Sequence, residues 1–145
     1  MEVLLAELEP LLYGYNYQAF LRVYRVPFTP GSSVEWYVSQ ALGASAIVGK
    51  SVAVTGTEIL ADVEQSLRYA GDSGSGPEPM ALRSQRFMEL VSGVLSELKH
   101  AIAQARWLTQ FWLQDGHPAY PVFWDFAYII AGPTEGFVFI GSSSD

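Results

Sequence analysis

Apolar side chains between Phe87 and Trp112 recur at steps of three and four: Phe87, Leu90, Val91, Val94, Leu98, Ala101, Ile102, Ala105, Leu108 and Trp112. That spacing draws one stripe along a helix. Gln85, Glu89, Ser92, Ser96, Lys99, Arg106 and Gln110 supply the polar line on the opposite side. Pro79 suits a first turn, Gly116 can take a left-handed cap, and Pro118 forbids continuation, so the pattern predicts one helix over about 79–114. At 1.5 Å per residue it would run roughly 50 Å, longer than a domain of this size is wide, with Gly93 as the weakest point for a kink.

Shorter helices are expected upstream. Thr55 and Glu58 have the spacing of a capping box, and Ile59, Leu60, Val63 and Leu67 keep helical spacing over 56–70. Ser33 caps a segment in which Val34, Tyr37, Val38, Ala41 and Leu42 share a face, ending near Gly43 or Gly49. The N-terminal third reads as helical too, with Leu4, Leu5, Leu8, Leu11 and Leu12 on one side and Tyr13, Tyr17, Phe20, Leu21 and Tyr24 extending the stripe past Pro10 and Gly14. Ala44–Val54 is open between helix and a short hairpin turning at Gly49–Lys50. Gly71–Pro79, GDSGSGPEP, reads as a flexible connection.

The period changes after His117, in HPAYPVFWDFAYIIAGPTEGFVFIGSSSD. Val122–Ala131 and Phe137–Gly141 are expected to pair as an antiparallel hairpin across GPTEG. Val122, Trp124, Phe126, Tyr128 and Ile130 fall on one face and Phe123, Asp125, Ala127 and Ile129 on the other, so at least one face must lie on the helices. The expected class is α+β but mostly α: a single domain over residues 1–145, with helices packed around one long helix and a C-terminal antiparallel β-hairpin.

Composition narrows the function. With 50% hydrophobic and 16% charged residues in 145, the chain has the apolar matter for a core. The net charge of −7 opposes binding to a phosphate backbone and favours encounter with a basic surface, so nucleic acid is not an expected partner. Without cysteine there is no disulfide, no thiolate nucleophile and no sulfur-based zinc site. Glu2, Glu7 and Glu9 stand where a secretory signal would carry lysine or arginine, and no run of apolar residues reaches membrane-spanning length, so a cytoplasmic protein without a membrane partner is expected.

Candidate chemistry is sparse. Gly71-Asp72-Ser73-Gly74 imitates the nucleophile loop of chymotrypsin-like serine proteases, but no histidine precedes His100 and the chain is too short for two barrels. Glu97 and His100 have the E-x-x-H spacing of di-iron bundles, which need that pair twice plus two further carboxylates. The expectation is therefore no catalytic residue, no metal and no cofactor. Glu58 and Asp62 share a helix face at the i, i+4 spacing: either a solvated face near a helix N-terminus or an acidic patch for a basic partner. Asp125, between Trp124 and Phe126, is either paired with Arg22, Arg25 or Arg106 or is a charged anchor at an interface. Trp107, Trp112, Tyr120 and Trp124 suit a core or an interface equally by type, with the core expected for most.

The pattern HPAYPVFWDFAYIIAG followed by FVFIGSSSD resembles the closing hairpin of small bacterial immunity proteins encoded beside polymorphic or secretion-system toxins. The resemblance covers about the last fifth of the chain. It implies an acidic, cytoplasmic, non-enzymatic inhibitor that occludes the active surface of a cognate protein toxin. The residues expected to meet the partner are Glu58, Asp62, Tyr120, Asp125 and Asp145. The alternative is a self-associating structural or adaptor protein without a toxin partner, a homodimer burying the long helix and the second face of the hairpin against a symmetry mate.

Overall fold

The structure, a computed structural model, describes residues 1–145. In chain order the elements are helix α1 (Glu2–Leu8), a 3-10 turn (Glu9–Leu12), β1 (Gly14–Tyr15), β2 (Gln18–Pro27), α2 (Val34–Leu42) and β3 (Ile47–Ala53). There follow α3 (Gly56–Leu67), β4 (Gly76–Pro77), α4 (Pro79–Leu82), α5 (Gln85–Gln104), β5 (Trp107–Asp115), β6 (Asp125–Ala131) and β7 (Glu135–Ser144). Five strands form one sheet in the order β2-β7-β6-β5-β3, antiparallel throughout, while β1 and β4 pair separately. This corrects the expected fold class. The molecule is a sheet-rich α+β fold, and the helices pack on a five-stranded sheet instead of around one long helix.

Three segments account for the difference. The expected helix over 79–114 is divided: α4 stops at Leu82, α5 ends at Gln104, and 107–115 is strand β5. The first break is local. Ser84 leaves helical geometry, donates its hydroxyl to Ala81 O at 2.7 Å and accepts Phe87 N–H at 3.1 Å, which caps α5. The break thus falls at Arg83–Ser84 and not at Gly93, where a Cβ would stand 3.2 Å from the Leu4 side chain and where α1 packs closely. The second break is tertiary. Trp107-Leu108-Thr109-Gln110-Phe111-Trp112-Leu113 satisfies both a period of two and part of a helical stripe, and pairing with β3 on one side and β6 on the other decides for the strand.

The same competition resolves β2. Ala19 to Val26 carries aromatic and β-branched residues that fit a pleated surface, and it pairs with β7 over ten positions from Gln18↔Ser144 to Pro27↔Glu135. Ala44–Val54 contains the edge strand β3, which pairs with β5 and not with itself. GDSGSGPEP folds into a tight turn, Asp72 N–H to Ser75 O at 2.8 Å, and Gly76–Pro77 pairs with Gly14–Tyr15.

Other local signals hold. Ser33 caps α2 and Gly43 ends it; the reciprocal Thr55/Glu58 box opens α3. The β6–β7 hairpin forms with Ala131 opposite Gly136, and β7 runs on through Ser142 and Ser143, both buried.

Both sheet faces are covered. Phe126, Tyr128, Ile130, Phe139, Ala19 and Leu21 pack under α1, α3 and α5, the last contributing Phe87, Leu90, Val91, Val94 and Leu98. At roughly 1.5–3 kcal/mol per buried side chain, that stripe anchors the helical layer. Ala127, Ile129, Ala131, Val138 and Ile140 face the other way, under Tyr37 and Val38 of α2. The second face of the hairpin and the apolar stripe of α5 are therefore buried within the chain, and a homodimer built on those two surfaces has nothing left to use. No helix is long and apolar enough to cross a membrane.

Candidate functional site

The sheet brings a phenol of β6 to a carboxylate of α3. Tyr128 lies mid-strand in β6, its ring stacked 6.0 Å from Phe126, which stacks in turn at 5.8 Å on Trp124. Gly141 makes this ladder possible, because a Cβ there would meet the Phe126 ring at 2.4 Å. The ladder holds Tyr128 with its hydroxyl directed at α3, where it donates a hydrogen bond to Asp62 Oδ2. Burial first, and then the carboxylates of Asp62, Glu58 and Asp125, raise the phenol well above its ordinary range. The group remains a neutral donor.

Glu58 is fixed by the capping box. Its Oε2 accepts from Thr55 N–H and from the Thr55 hydroxyl, each at 2.7 Å, and the backbone hydrogen bond, with the hydroxyl bond second, lowers its carboxyl below the ordinary value. Asp62 lies one turn on, on the same face. Asp125 opens β6 and is exposed; Arg22 pairs with Glu9, Arg25 with Glu2 and Glu135, and Arg106 with no carboxylate, so none of the three expected arginines reaches it. None of the ion pairs of the chain involves Glu58, Asp62 or Asp125. Lys50, on the same sheet face by register, sits with Nζ 5.2 Å over the Trp112 ring.

The connection from β5 to β6 leads into Asp125. Its Tyr120 is 80% exposed and Val122 53%, so Tyr120 belongs to the surface, while Trp124 donates its indole N–H to the buried Tyr17 hydroxyl at 2.6 Å. Val122 N–H bonds Ser143 O at 2.8 Å, which ties the connection to the end of β7. Asp145 follows at that end of the sheet, with no hydrogen bond or ion pair to Glu58, Asp62 or Asp125. His117 sits half-buried in the same connection; its Nδ1 accepts Ala119 N–H at 3.2 Å, and burial lowers the imidazole against the opposing pull of Asp125. Of the five expected partner residues, then, Asp62 bonds the Tyr128 hydroxyl and Glu58 shares its helix face, while Asp125, Tyr120 and Asp145 are exposed and have no hydrogen bond to either. Sequence reasoning missed Tyr128, whose position on the Trp124–Phe126 face was readable but whose partner on α3 was not.

A concavity of about 630 Å³ lies elsewhere, between α5, β2 and the β6–β7 turn, lined among others by Arg25, Glu97, His100, Gln104, Glu135 and Phe137. Here the E-x-x-H pair shares a wall. Its charges are internally satisfied: Arg25 reaches Glu135 at 3.4 Å and Glu2 at 3.7 Å, and Glu97 pairs with the Met1 amine. No three histidine, aspartate or glutamate side chains converge as metal ligands anywhere in the chain. The Gly71–Gly74 loop is a backbone-bonded turn.

What this face of α3 can do is bind cations of another surface: Glu58 and Asp62 are held by hydrogen bonds, carry no salt bridge, and Asp62 accepts from a neutral phenol. No family model, no curated protein and no solved structure matches this chain.

Proposed function

We propose that the protein is a non-enzymatic, cytoplasmic inhibitor of the immunity type, which binds a basic cleft of a cognate protein toxin and occludes it. One observation carries this reading: Glu58 and Asp62 on one face of α3, and the exposed Asp125 at the start of β6, have no basic partner, on a chain whose other acidic groups include five glutamates paired with its arginines. Lysine and arginine side chains of a toxin would find there charge already fixed in place by the capping box and the Tyr128 bond. Fixed complementary charge raises the rate of encounter and rejects wrong partners. Tyr120 and Val122, exposed in the connection that leads into Asp125, supply apolar contact that excludes water from a pair made there.

The test is co-expression with the product of the adjacent gene, scored by rescue of growth. The double variant Asp62→Lys/Asp125→Lys is expected to lose rescue and to weaken binding of the purified toxin at least about tenfold, chiefly through the association rate. Unchanged affinity in that variant, with the fold intact by circular dichroism, refutes the reading.

A further inference from the structure

The two edges of the sheet are treated unequally. On β2, Glu9 Oε2 accepts the outward Leu21 N–H at 3.0 Å, Arg22 and Arg25 add charge, and Pro27 closes the strand. On β3, six of seven residues are exposed, the strand pairs only with β5, and no side chain or loop bonds its outer backbone. Val54 N–H bonds Leu108 O, so by alternation the N–H and C=O of Val52 also face β5 while those of Ser51 and Ala53 point away from the sheet. The one charge on this strand, Lys50, is folded back over Trp112 and does not guard the edge. The register shifts around Val48 confine the regular edge to Lys50–Ala53, and an edge left in this state is a template for another strand.

We infer that β3 pairs with β3 of a second copy, antiparallel about a two-fold axis through Val52, to give a continuous ten-stranded sheet. This register uses the two outward-facing residues: Ser51 of each copy exchanges backbone bonds with Ala53 of the other. It sets the exposed Val52 against its own equivalent as a non-hydrogen-bonded pair, removing two apolar side chains from water. No like charges are opposed. Lys50 falls across from Val54 of the other copy and keeps its place over Trp112, so the register opposes no charge to it. A two-fold contact of this kind is isologous and closes on itself. Because so short a strand pair falls below the area of obligate interfaces, the association depends on concentration. It stands apart from the inhibitor reading, whose Asp62 and Asp125 it does not use.

Sedimentation equilibrium over a concentration series tests it. The chain should approach twice its 16.0 kDa mass at the high end. Ser51→Pro, which deletes an outward N–H that the monomer does not use, should remain at 16.0 kDa with an unchanged melting transition. If Ser51→Pro does not fold, the register still reports itself, because the chain contains no cysteine. Oxidised Val52→Cys should cross-link, its Cα atoms being about 4.5 Å apart in such a pair, whereas Ser51→Cys, diagonally offset by about 8 Å, should not. A chain that stays monomeric throughout, or a cross-link at Ser51→Cys and none at Val52→Cys, overturns the inference.

Discussion

A methyl group at Gly141 would stand 2.4 Å from Phe126 Cζ and 2.9 Å from Leu21 Cδ2, so the space over that residue belongs to two other strands. Gly141→Ala is expected to cost about 1–3 kcal/mol by overpacking, read from the urea midpoint. Tyr37 offers the opposite case. Its hydroxyl is buried beneath α2 and finds no hydrogen-bond partner among the protein groups. Tyr37→Phe should therefore leave stability unchanged or raise it by about 1 kcal/mol, and a loss of that size would show that the hydroxyl is bonded after all. At this scale the sequence was informative where partners are close along the chain. Glu58 and Asp62 grouped by helical spacing, and Thr55 and Glu58 by capping chemistry. Tyr128 and Asp62 are 66 residues apart, and nothing local in either could announce the other.

Helix α5 begins where Ser84 caps it, and Ser84→Ala should lower stability by about 1 kcal/mol through the loss of the bond to Phe87 N–H. Thermal unfolding of the variant checks this. Elements with such terminal chemistry, α2, α3 and the β6–β7 hairpin, are legible in the sequence itself. Those lacking it were not. Residues 105–113 and 17–24 have apolar positions that fit a helix stripe and a strand alternation alike, and the choice is made by the strands lying alongside. The candidate site was legible in the same uneven way: its charges could be named, while its centre depended on a sheet whose extent was not foreseen.

For the molecule as a whole, His117 links stability to pH. Its folded value lies below the ordinary 6.5, so as pH falls the unfolded chain takes up the proton first. The contribution is complete above the unfolded value and is lost as pH falls through the folded one. Urea midpoints measured from about pH 7.5 to about pH 5 should decline, and His117→Gln should decline less over that window. An equal slope in both proteins would remove His117 as the cause. The carboxyl of Glu58, also lowered in the fold, adds a further loss below its ordinary 4.5.

Strand β7 lies between β2 and β6, so the first long strand touches the rest of the sheet only through the last one. A chain emerging from the ribosome must carry residues 18–27 unpaired until 135–144 have been made. Closing a loop of that length comes before any reward from the central pairing, so refolding should be slow for a chain of this size, in the range of milliseconds to seconds. During that wait the aromatic residues of β2 are open to other chains, and the protein's exposure to aggregation is greatest at synthesis.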